Sequence, residues 1–343
     1  MSTVNVAVVG LGFMGITHLK AYRQIPNARI VALCDAVRLP VDGVLGAAGG
    51  NLGSGDEPLS FDMTQVRATH QLDELLADPS IDLIDICVPT LAHPKLAIAA
   101  LEAGKHVICE KPLARTAADA RAIVAAAARA PGFFMPAMCI RFWPEYVWLK
   151  QAIDAQAYGR VLAARFRRVS EPPAWGREHF FDGAKSGGAI LDLHIHDADF
   201  VQYCFGRPGA VFAQGFTRYS GEIDRVVAQY QVGCAAAVSA EGGWVMGDGH
   251  GFEMAFTVIF ENATVDFNSS RGTAALRVFQ QGRETRVIEV APGDGYLAEL
   301  SYMIQCIRDG QAPAIVTGGD GASAVEICEA EGESIRSGKI VAL

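Results

Sequence analysis

The chain has 343 residues, half of them hydrophobic and a fifth charged, with a mean hydropathy of +0.21. At about 150 residues per domain this length predicts two domains, and the apolar content excludes disordered and fibrous proteins. The net charge is −9, and the one dense basic run, Arg165, Arg167 and Arg168, alternates like a solvated strand face. A nucleic-acid partner is therefore not expected, because such a protein needs a basic surface.

The first charged residue of the chain is Lys20. We nevertheless expect no membrane span or export signal, because Asn5, Gly10, Gly12 and Gly15 interrupt the apolar run and no cationic segment precedes it. The eight cysteines form no CxxC pair and most lie in apolar runs, which favours buried thiols over disulfides or a zinc site. These patterns predict a soluble, cytoplasmic protein with no membrane partner.

Strands and helices alternate along the first third of the chain. Near-continuous apolar runs predict strands at Val4–Val9, Arg29–Cys34, Leu83–Val88 and His106–Cys109. Between and after them we expect helices at about Met14–Gln24, Leu72–Ala77, Pro94–Ala103 and Thr116–Arg129. Short links between such units predict right-handed crossovers and a doubly wound parallel sheet, a Rossmann domain over residues 1–125. Dense glycine at 40–60 predicts a mobile surface loop.

Consecutive strands separated by turn residues dominate the rest of the chain. They are expected at Val161–Val169, Val211–Tyr219, Arg225–Val232, Ala235–Ala240, Phe252–Phe260, Ala263–Phe267, Leu276–Gln280 and Arg286–Val290. The helices expected in this part are about Gly188–Cys204, Tyr296–Asp309 and Ala322–Ser337. Short connections favour antiparallel pairing, so the fold class is α/β, with a C-terminal α+β domain over residues 126–343.

A GxGxxG motif at Gly10–Gly15 follows the first strand and opens the first helix. Its glycines permit a tight turn, close approach of a pyrophosphate and close helix–strand packing, and the helix N-terminus attracts phosphate. Asp35 ends the second strand and would bind both ribose hydroxyls, which favours NAD over NADP, although Arg38 lies nearby in sequence. The cofactor-binding residues expected here are Gly10, Gly12, Phe13, Met14, Gly15 and Asp35.

Three later segments carry a resemblance to a known family. Glu110-Lys111-Pro112 follows the run Gly104–Cys109, and a GG-x-x-x-D-x-x-x-H-x-x-D pattern occupies Ser186–Asp199. Together with Arg141–Pro144 and Glu326–Ser334, these segments resemble the glucose–fructose oxidoreductase/inositol dehydrogenase (Gfo/Idh/MocA) family of NAD(P)-dependent sugar dehydrogenases. The resemblance covers nearly the whole chain but says little about the substrate.

Lys111 lies just past a strand end, at the edge where open α/β sheets bind ligands. The resemblance places the corresponding lysine against the reacting hydroxyl, where an ammonium would stabilise alkoxide charge. It also implies that Glu110 contacts the cofactor or orients Lys111, and that Pro112 takes a cis peptide bond. Pro89, Thr90 and His93 would line the nicotinamide side.

Asp192 and His196 are one turn apart on a predicted helix, and Asp199 and Tyr203 continue the same polar stripe. A carboxylate can orient the imidazole and make it more basic, a pair suited to exchanging a proton with an alcohol. The alternative is a helix-terminal acid beside a structural histidine, and the resemblance favours the catalytic interpretation. Lys111, Asp192 and His196 are therefore the catalytic candidates.

The residue two after Asp192 is His194, where the family pattern commonly has Gly. On a helix, residues two apart point about 200° apart, so His194 and His196 cannot share an ion and we expect no metal. We expect His194 to face the sheet or a subunit interface.

The remaining substrate-binding candidates have open alternatives. Trp175 either stacks on a sugar ring or packs in the core or an interface, and Arg141 either reaches substrate or cofactor or pairs with an acid. The substrate-binding set is Lys111, Arg141, Trp175, Asp192 and His196. The histidines without a nameable partner are treated as structural: His18, His70, His106, His179 and His250.

These features predict an NAD-dependent oxidoreductase that transfers hydride between nicotinamide and a secondary alcohol or ketone of a sugar, inositol or related polyol. Two alternatives remain: a family member that oxidises its substrate transiently to cleave a glycosidic bond, and a non-catalytic NAD-sensing regulator. Because an antiparallel sheet leaves one face open, we expect a homodimer or homotetramer.

Overall fold

The structure is a computed structural model that describes residues 3–47, 49 and 57–343. Its contacts divide the chain into two compact units. The first comprises Met1–Cys139 and Asp294–Ala322, and the second comprises Ile140–Gly293 and Ser323–Leu343. The boundary predicted after residue 125 falls inside a helix of the first unit, and the return of 294–322 to that unit was not anticipated. Within the described residues, no helix is long and apolar enough to cross a membrane.

The first unit begins with alternating strands and helices. Its strands are β1 (Val4–Val9), β2 (Ala28–Cys34), β3 (Val44–Leu45), β4 (Leu59–Ser60), β5 (Arg67–Thr69), β6 (Leu83–Ile86), β7 (His106–Glu110) and β8 (Phe134–Ala137). Its helices up to that point are α1 (Phe13–Tyr22), α2 (Leu72–Leu76), α3 (His93–Glu102) and α4 (Ala117–Ala127).

Six of these strands form one parallel sheet in the order β5-β2-β1-β6-β7-β8. The central strands are buried along almost their whole length, as expected where helices cover both faces. The doubly wound parallel sheet predicted from the sequence is thereby confirmed. In the glycine-rich region, β3 pairs antiparallel with β4, and residues 48, 50 and 51–56 of the predicted loop lie outside the described residues.

The second unit is built on a mixed sheet. Its strands are β9 (Val161–Ser170), β10 (Ala210–Phe216), β11 (Arg225–Gln231), β12 (Ala237–Gly243), β13 (Phe252–Phe260), β14 (Thr264–Asn268), β15 (Leu276–Phe279), β16 (Arg286–Val287) and β17 (Val341–Ala342). The remaining helices of the chain are α5 (Pro144–Asp154), α6 (Arg177–Phe180), α7 (Gly183–Ser186), α8 (Ile195–Phe205), α9 (Gly295–Asp309) and α10 (Gly318–Ser337). Short 3-10 turns lie at Thr90–Ala92, Cys139–Phe142, Ala174–Gly176 and Ser269–Ala274, and a π-helical turn at Ile190–His194.

The described strands of this sheet run in the order β16-β15-β14-β13-β9-β12-β11-β10-β17, and all neighbours pair antiparallel except β9 and β12. The mostly antiparallel C-terminal sheet is thus confirmed. Helix α8 packs on β9 and β12, and we call that side the helix-covered face and the other side the open face.

The basic run of β9 is divided between these faces. Arg165 and Arg167 lie on the open face and form ion pairs with Glu241, and Arg167 also pairs with Glu253. Arg168 points the other way, is 2% exposed and pairs with Asp197 of α8 at 2.8 Å. We predicted that all three arginines lie on one solvated strand face. This prediction was wrong for Arg168, because neighbouring strand residues point to opposite faces.

Candidate functional site

The turn between β1 and α1 has the backbone that its glycines predict. Gly10 has φ +96°, and a Cβ there would lie 2.5 Å from the Cys87 carbonyl oxygen. A Cβ on Gly15 would lie 1.9 Å from the Gly10 oxygen, whereas one on Gly12 would meet nothing within 4 Å. Gly12 is the N-cap of α1 and has no side chain to cap the first turn, so no cap side chain stands between a ligand and the helix N-terminus. Phe13 and Met14, which follow it, are half-buried. This cradle fits a pyrophosphate.

Asp35 is anchored against this turn. Its Oδ2 accepts a hydrogen bond from the Leu11 N–H at 2.7 Å, and its Oδ1 accepts from the Val37 and Arg38 N–H groups at 2.8 Å each. The Arg38 guanidinium donates to the carbonyls of Leu11, Gly46 and Ala47. The arginine is therefore engaged by backbone oxygens, and the Asp35 carboxylate is oriented beside the glycine turn.

The turn after β6 contains three of the predicted cofactor residues. Pro89 is exposed and Thr90 is buried. His93 is 1% exposed, and its ring nitrogens lie 2.9 Å from the Pro112 oxygen and 2.8 Å from the Val88 oxygen. Burial lowers the pKa of His93 below its usual value. His93 thereby joins the turn after β6 to the turn after β7, and its predicted place beside the nicotinamide stays a prediction.

Glu110 and Lys111 lie at the end of β7. Glu110 is 5% exposed, and its Oε2 accepts the backbone N–H of Lys111 at 3.0 Å. The peptide bond between Lys111 and Pro112 is cis, as the resemblance implied. The buried carboxylate therefore holds the backbone of the candidate catalytic lysine, which is the orienting role that the sequence analysis left open.

His18, which the sequence analysis treated as structural, is the centre of a buried polar cluster. Its Nδ1 lies 2.8 Å from Asp85 Oδ2 and its Nε2 lies 3.1 Å from Glu110 Oε1. Burial alone would lower the pKa of His18, but the Asp85 carboxylate raises it well above its usual value. Glu299 of α9 completes the cluster. The sequence signal for Asp85 was a carboxylate inside the apolar strand Leu83–Ile86.

In the second unit, Asp192 and His196 flank the end of the π-helical turn. The predicted single helix Gly188–Cys204 is instead a π turn, Ile190–His194, followed by α8. Asp192 lies inside this π turn, and His196 is the second residue of α8. Asp192 is half-buried and His196 is 9% exposed. Such bulges frequently occur at functional sites.

His194 faces the sheet, which was one of the two positions expected for it. It is fully buried, with Nε2 3.1 Å from Glu331 Oε2 of α10 and 3.3 Å from the Tyr230 hydroxyl. The same hydroxyl donates to Glu331 Oε1 at 2.6 Å. A Cβ on Gly242 would lie 2.8 Å from His194 Nδ1, so this glycine makes room for the ring. Sequence reasoning missed Glu331 and Tyr230.

Arg141 and Trp175 occupy contrasting environments. Arg141 is 3% exposed and makes a bidentate pair with Asp199, with Nε at 2.8 Å and Nη2 at 2.6 Å from the two carboxylate oxygens. Its guanidinium also stacks over Tyr203. The alternative of an acid partner is therefore the one observed. Trp175 is 43% exposed, and its ring lies edge-to-face with the Phe180 ring, with the two centroids 4.9 Å apart.

The candidate residues thus fall into two sets. The cofactor candidates, Glu110 and Lys111 belong to the first unit, whereas Arg141, Trp175, Asp192 and His196 belong to the second.

Two family models match this chain. One, described as an oxidoreductase family with an NAD-binding Rossmann fold (GFO_IDH_MocA), matches residues 4–137. The other, the GFO/IDH/MocA C-terminal domain, matches residues 146–266. Together they cover most of the chain and both of its units.

Several characterised proteins are similar in sequence. Levoglucosan dehydrogenase of Pseudarthrobacter phenanthrenivorans is 33% identical over 62% of this chain, a match that spans about half (54%) of that protein. Myo-inositol 2-dehydrogenase of Thermotoga maritima is 27% identical over 99% of this chain and 98% of its own length. D-apiose dehydrogenase of Paraburkholderia graminis is 30% identical over 98% of this chain and 89% of its own length.

The fold is shared with solved structures. Levoglucosan dehydrogenase in complex with NADH and L-sorbose superposes with a TM-score of 0.83 at 24% identity, over 100% of this chain and 99% of that one. At 24% sequence identity, this similarity shows that the two proteins share a fold.

Proposed function

Because this chain belongs to the GFO/IDH/MocA family of oxidoreductases with an NAD-binding Rossmann fold, we propose that it oxidises a secondary alcohol of a sugar, inositol or related polyol, or reduces the matching ketone. The observation that carries the proposal is the cradle at Gly10–Gly15 with Asp35 anchored beside it. Glycines that leave open space at a helix N-terminus suit a dinucleotide. The names of the relatives support polyhydroxy substrates.

The proposed chemistry assigns one task to each candidate side chain. When bound, NAD supplies the hydride acceptor at its nicotinamide ring. We assign to Lys111 the stabilisation of negative charge that develops on the reacting oxygen. We assign to His196 the acceptance of the alcohol proton, with Asp192 as the carboxylate that orients it. Arg141 is assigned to the support of α8 through Asp199 rather than to substrate.

The remaining first-unit candidates bind or support the cofactor in this proposal. Gly10, Gly12, Phe13, Met14 and Gly15 form the pyrophosphate turn, and Asp35 recognises the adenosine ribose. Pro89 and Thr90 border the nicotinamide. Trp175 is proposed as a sugar-stacking surface because its ring is partly exposed.

The test of the activity is a spectrophotometric screen for reduction of NAD and of NADP. The panel contains levoglucosan, myo- and scyllo-inositol, D-apiose and other free sugars, with keto forms for the reverse direction. We expect steady NADH formation on at least one polyol and a preference for NAD. Product formation without net NADH would replace the proposal with transient oxidation and glycoside cleavage.

The catalytic assignments are tested by His196→Ala and Lys111→Ala. Each variant is expected to lower turnover at least about a hundredfold, the usual contribution of general acid–base or oxyanion-stabilising groups. NADH affinity, followed by fluorescence titration, should remain within about threefold because neither task concerns cofactor binding. Turnover like that of the unmodified enzyme in both variants would refute the mechanism.

We further propose a homodimer or homotetramer assembled through the open face of the second unit. Five large apolar side chains on this face are 39–51% exposed: Phe216, Val227, Ile259, Phe279 and Val287. Such a patch on an open sheet is typical of a subunit interface. The eight free cysteines suit a reducing compartment, and we propose a cytoplasmic location.

A further inference from the structure

The buried cluster beneath Lys111 contains an unusual amount of negative charge. It joins His18 of α1, Asp85 of β6, Glu110 of β7 and Glu299 of α9, and each of these residues is at most 5% exposed. His18 contacts Asp85 at 2.8 Å and Glu110 at 3.1 Å. Three carboxyl groups therefore surround one imidazole. If all three were ionised, the cluster would carry net negative charge even with His18 protonated, which is costly in a buried site.

Glu299 differs from the other two carboxyl groups in its contacts. Asp85 faces His18 Nδ1, and Glu110 faces His18 Nε2 and accepts the Lys111 N–H. Within the described part of the chain, neither carboxylate oxygen of Glu299 has a hydrogen-bond partner, although its side chain is fully buried. One of these oxygens lies within 4.8 Å of a ring nitrogen of His18 and within 4.8 Å of a carboxylate oxygen of Glu110. Because Glu110 and Glu299 are buried and this close, it costs less free energy for the two carboxyl groups to carry one negative charge between them than two.

We propose that Glu299 is a protonated carboxylic acid at neutral pH and that it is, with His18, a positioning residue for Glu110 and Lys111. Its proton removes the repulsion that would displace the Glu110 carboxylate from His18 and from the Lys111 N–H. The importance of Lys111 rests on the proposed function, whereas the protonation of Glu299 does not. Burial and the charge of Glu110 raise the pKa of Glu299 well above its usual value, which agrees with this assignment.

The protonation is tested directly by infrared difference spectroscopy. We expect the wild-type protein at neutral pH to show the C=O stretch of a protonated carboxyl group, shifted in D2O and absent from Glu299→Gln. The matched control is Glu102→Gln, an exposed glutamate of the same unit, which should leave the band unchanged. Persistence of the band in Glu299→Gln would overturn the proposal. So would a stoichiometric metal ion in the purified protein that Glu299→Gln releases, because an ionised Glu299 would then hold a cation.

The positioning role is tested by comparing two substitutions of Glu299. Glutamine keeps the size and a hydrogen-bond donor without charge, so Glu299→Gln should retain turnover within about threefold. Glu299→Leu removes the polar group and should lower kcat at least about tenfold, the scale expected when a catalytic group is misplaced, with NADH affinity unchanged. Equal loss in both variants, or none in Glu299→Leu, would overturn the role.

These tests separate the inference from the proposed function. If the wild-type protein turned over no polyol, the proposed function would fail while the infrared result still decided the state of Glu299. If Glu299→Leu did not fold, Glu299→Gln would still test whether a neutral side chain suffices for turnover.

Discussion

The three glycines of the turn before α1 differ in the space around them. A methyl group on Gly12 would meet no atom within 4 Å, whereas one on Gly15 would lie 1.9 Å from the Gly10 carbonyl oxygen. Close packing therefore requires glycine at position 15, whereas the space beside Gly12 is open, and we propose that the phosphates of the cofactor use it.

We expect Gly12→Ala to fold normally but to bind NADH at least about tenfold more weakly, a loss of about 1.4 kcal/mol, because the methyl group occupies space for the phosphates. Gly15→Ala should instead lower the free energy of unfolding by several kcal/mol, on the order of severe overpacking. Urea denaturation and fluorescence titration of both variants provide the check. Tight NADH binding by Gly12→Ala would mean that the cofactor does not approach this turn.

Asp224 shows how one carboxylate can organise a loop. It accepts hydrogen bonds from the N–H groups of Arg218, Tyr219 and Ser220, from the Ser220 hydroxyl and from the Trp244 indole. Burial alone would raise the pKa of Asp224, but these hydrogen bonds lower it below its usual value. A lowered pKa means that the carboxylate stabilises the fold above its unfolded pKa of about 3.9 and ceases to do so as the pH falls through the folded value.

Asp224→Asn should therefore lower the free energy of unfolding by about 2–3 kcal/mol at pH 7, since an amide group turns a donor toward these N–H groups. The difference in free energy of unfolding between the wild type and Asp224→Asn should shrink as the pH falls below about 4. Urea unfolding between pH 3 and pH 7 measures this difference. The matched control is Asp248→Asn, a substitution of an exposed aspartate. A deficit that stayed constant with pH would show that the charge of Asp224 is not the cause.

At the scale of elements, the π-helical turn Ile190–His194 is bound to α10 through His194. His194 contacts Glu331 at 3.1 Å, and Tyr230 donates to the same carboxylate. Burial alone would lower the pKa of His194, but the Glu331 charge raises it. A raised pKa contributes stability that is complete below the unfolded value of about 6.5 and is lost as the pH rises through the folded value.

We expect Glu331→Gln to lower the free energy of unfolding by about 2 kcal/mol at pH 6, the cost of removing a charged partner from a buried hydrogen bond. The difference in free energy of unfolding between the wild type and Glu331→Gln should become smaller toward pH 9, because His194 loses its proton. Glu333→Gln, an exposed change on the same helix, is the control. A difference that widened with pH would reverse the assignment of charge to His194.

The elements also show what local sequence can and cannot predict. The buried parallel strands were predictable because their apolar runs are long, and β13 was predicted with its observed ends, Phe252–Phe260. Strand β8 was missed because it has four residues and contains Pro136. The π turn was missed because apolar periodicity does not distinguish a local π insertion from a continuous α-helix.

The buried partners of the site residues were missed for a different reason. Glu299 is far along the chain from His18, and Asp85 is 67 positions from it. The first contact depends on the return of α9 to the first unit and the second on the pairing of distant elements, and neither is encoded by local composition or motifs. The glycine turn and Asp35, in contrast, were predictable because their physical roles follow from neighbouring residues.

At the scale of the whole molecule, the open face of the second unit carries two kinds of side chain. Its arginines are paired with acids: Arg165, Arg167 and Arg225 pair with Glu241, and Arg167 also pairs with Glu253. Around these ion pairs lie the exposed apolar residues Val227 on β11 and Ile259 on β13. A face with paired charges and exposed apolar side chains suits contact with a second copy of itself more than contact with water.

We therefore expect the wild-type protein to be a dimer or tetramer by light scattering, and the double variant Val227→Lys with Ile259→Lys to have a smaller mass. Like charges placed in a self-complementary interface repel their own copies, so the subunits should separate without unfolding. Val37→Lys, at a position that is 89% exposed in the first unit, is the control and should leave the mass unchanged. A monomeric wild type would exclude this assembly, and an unchanged mass in the double variant would assign the interface to another surface.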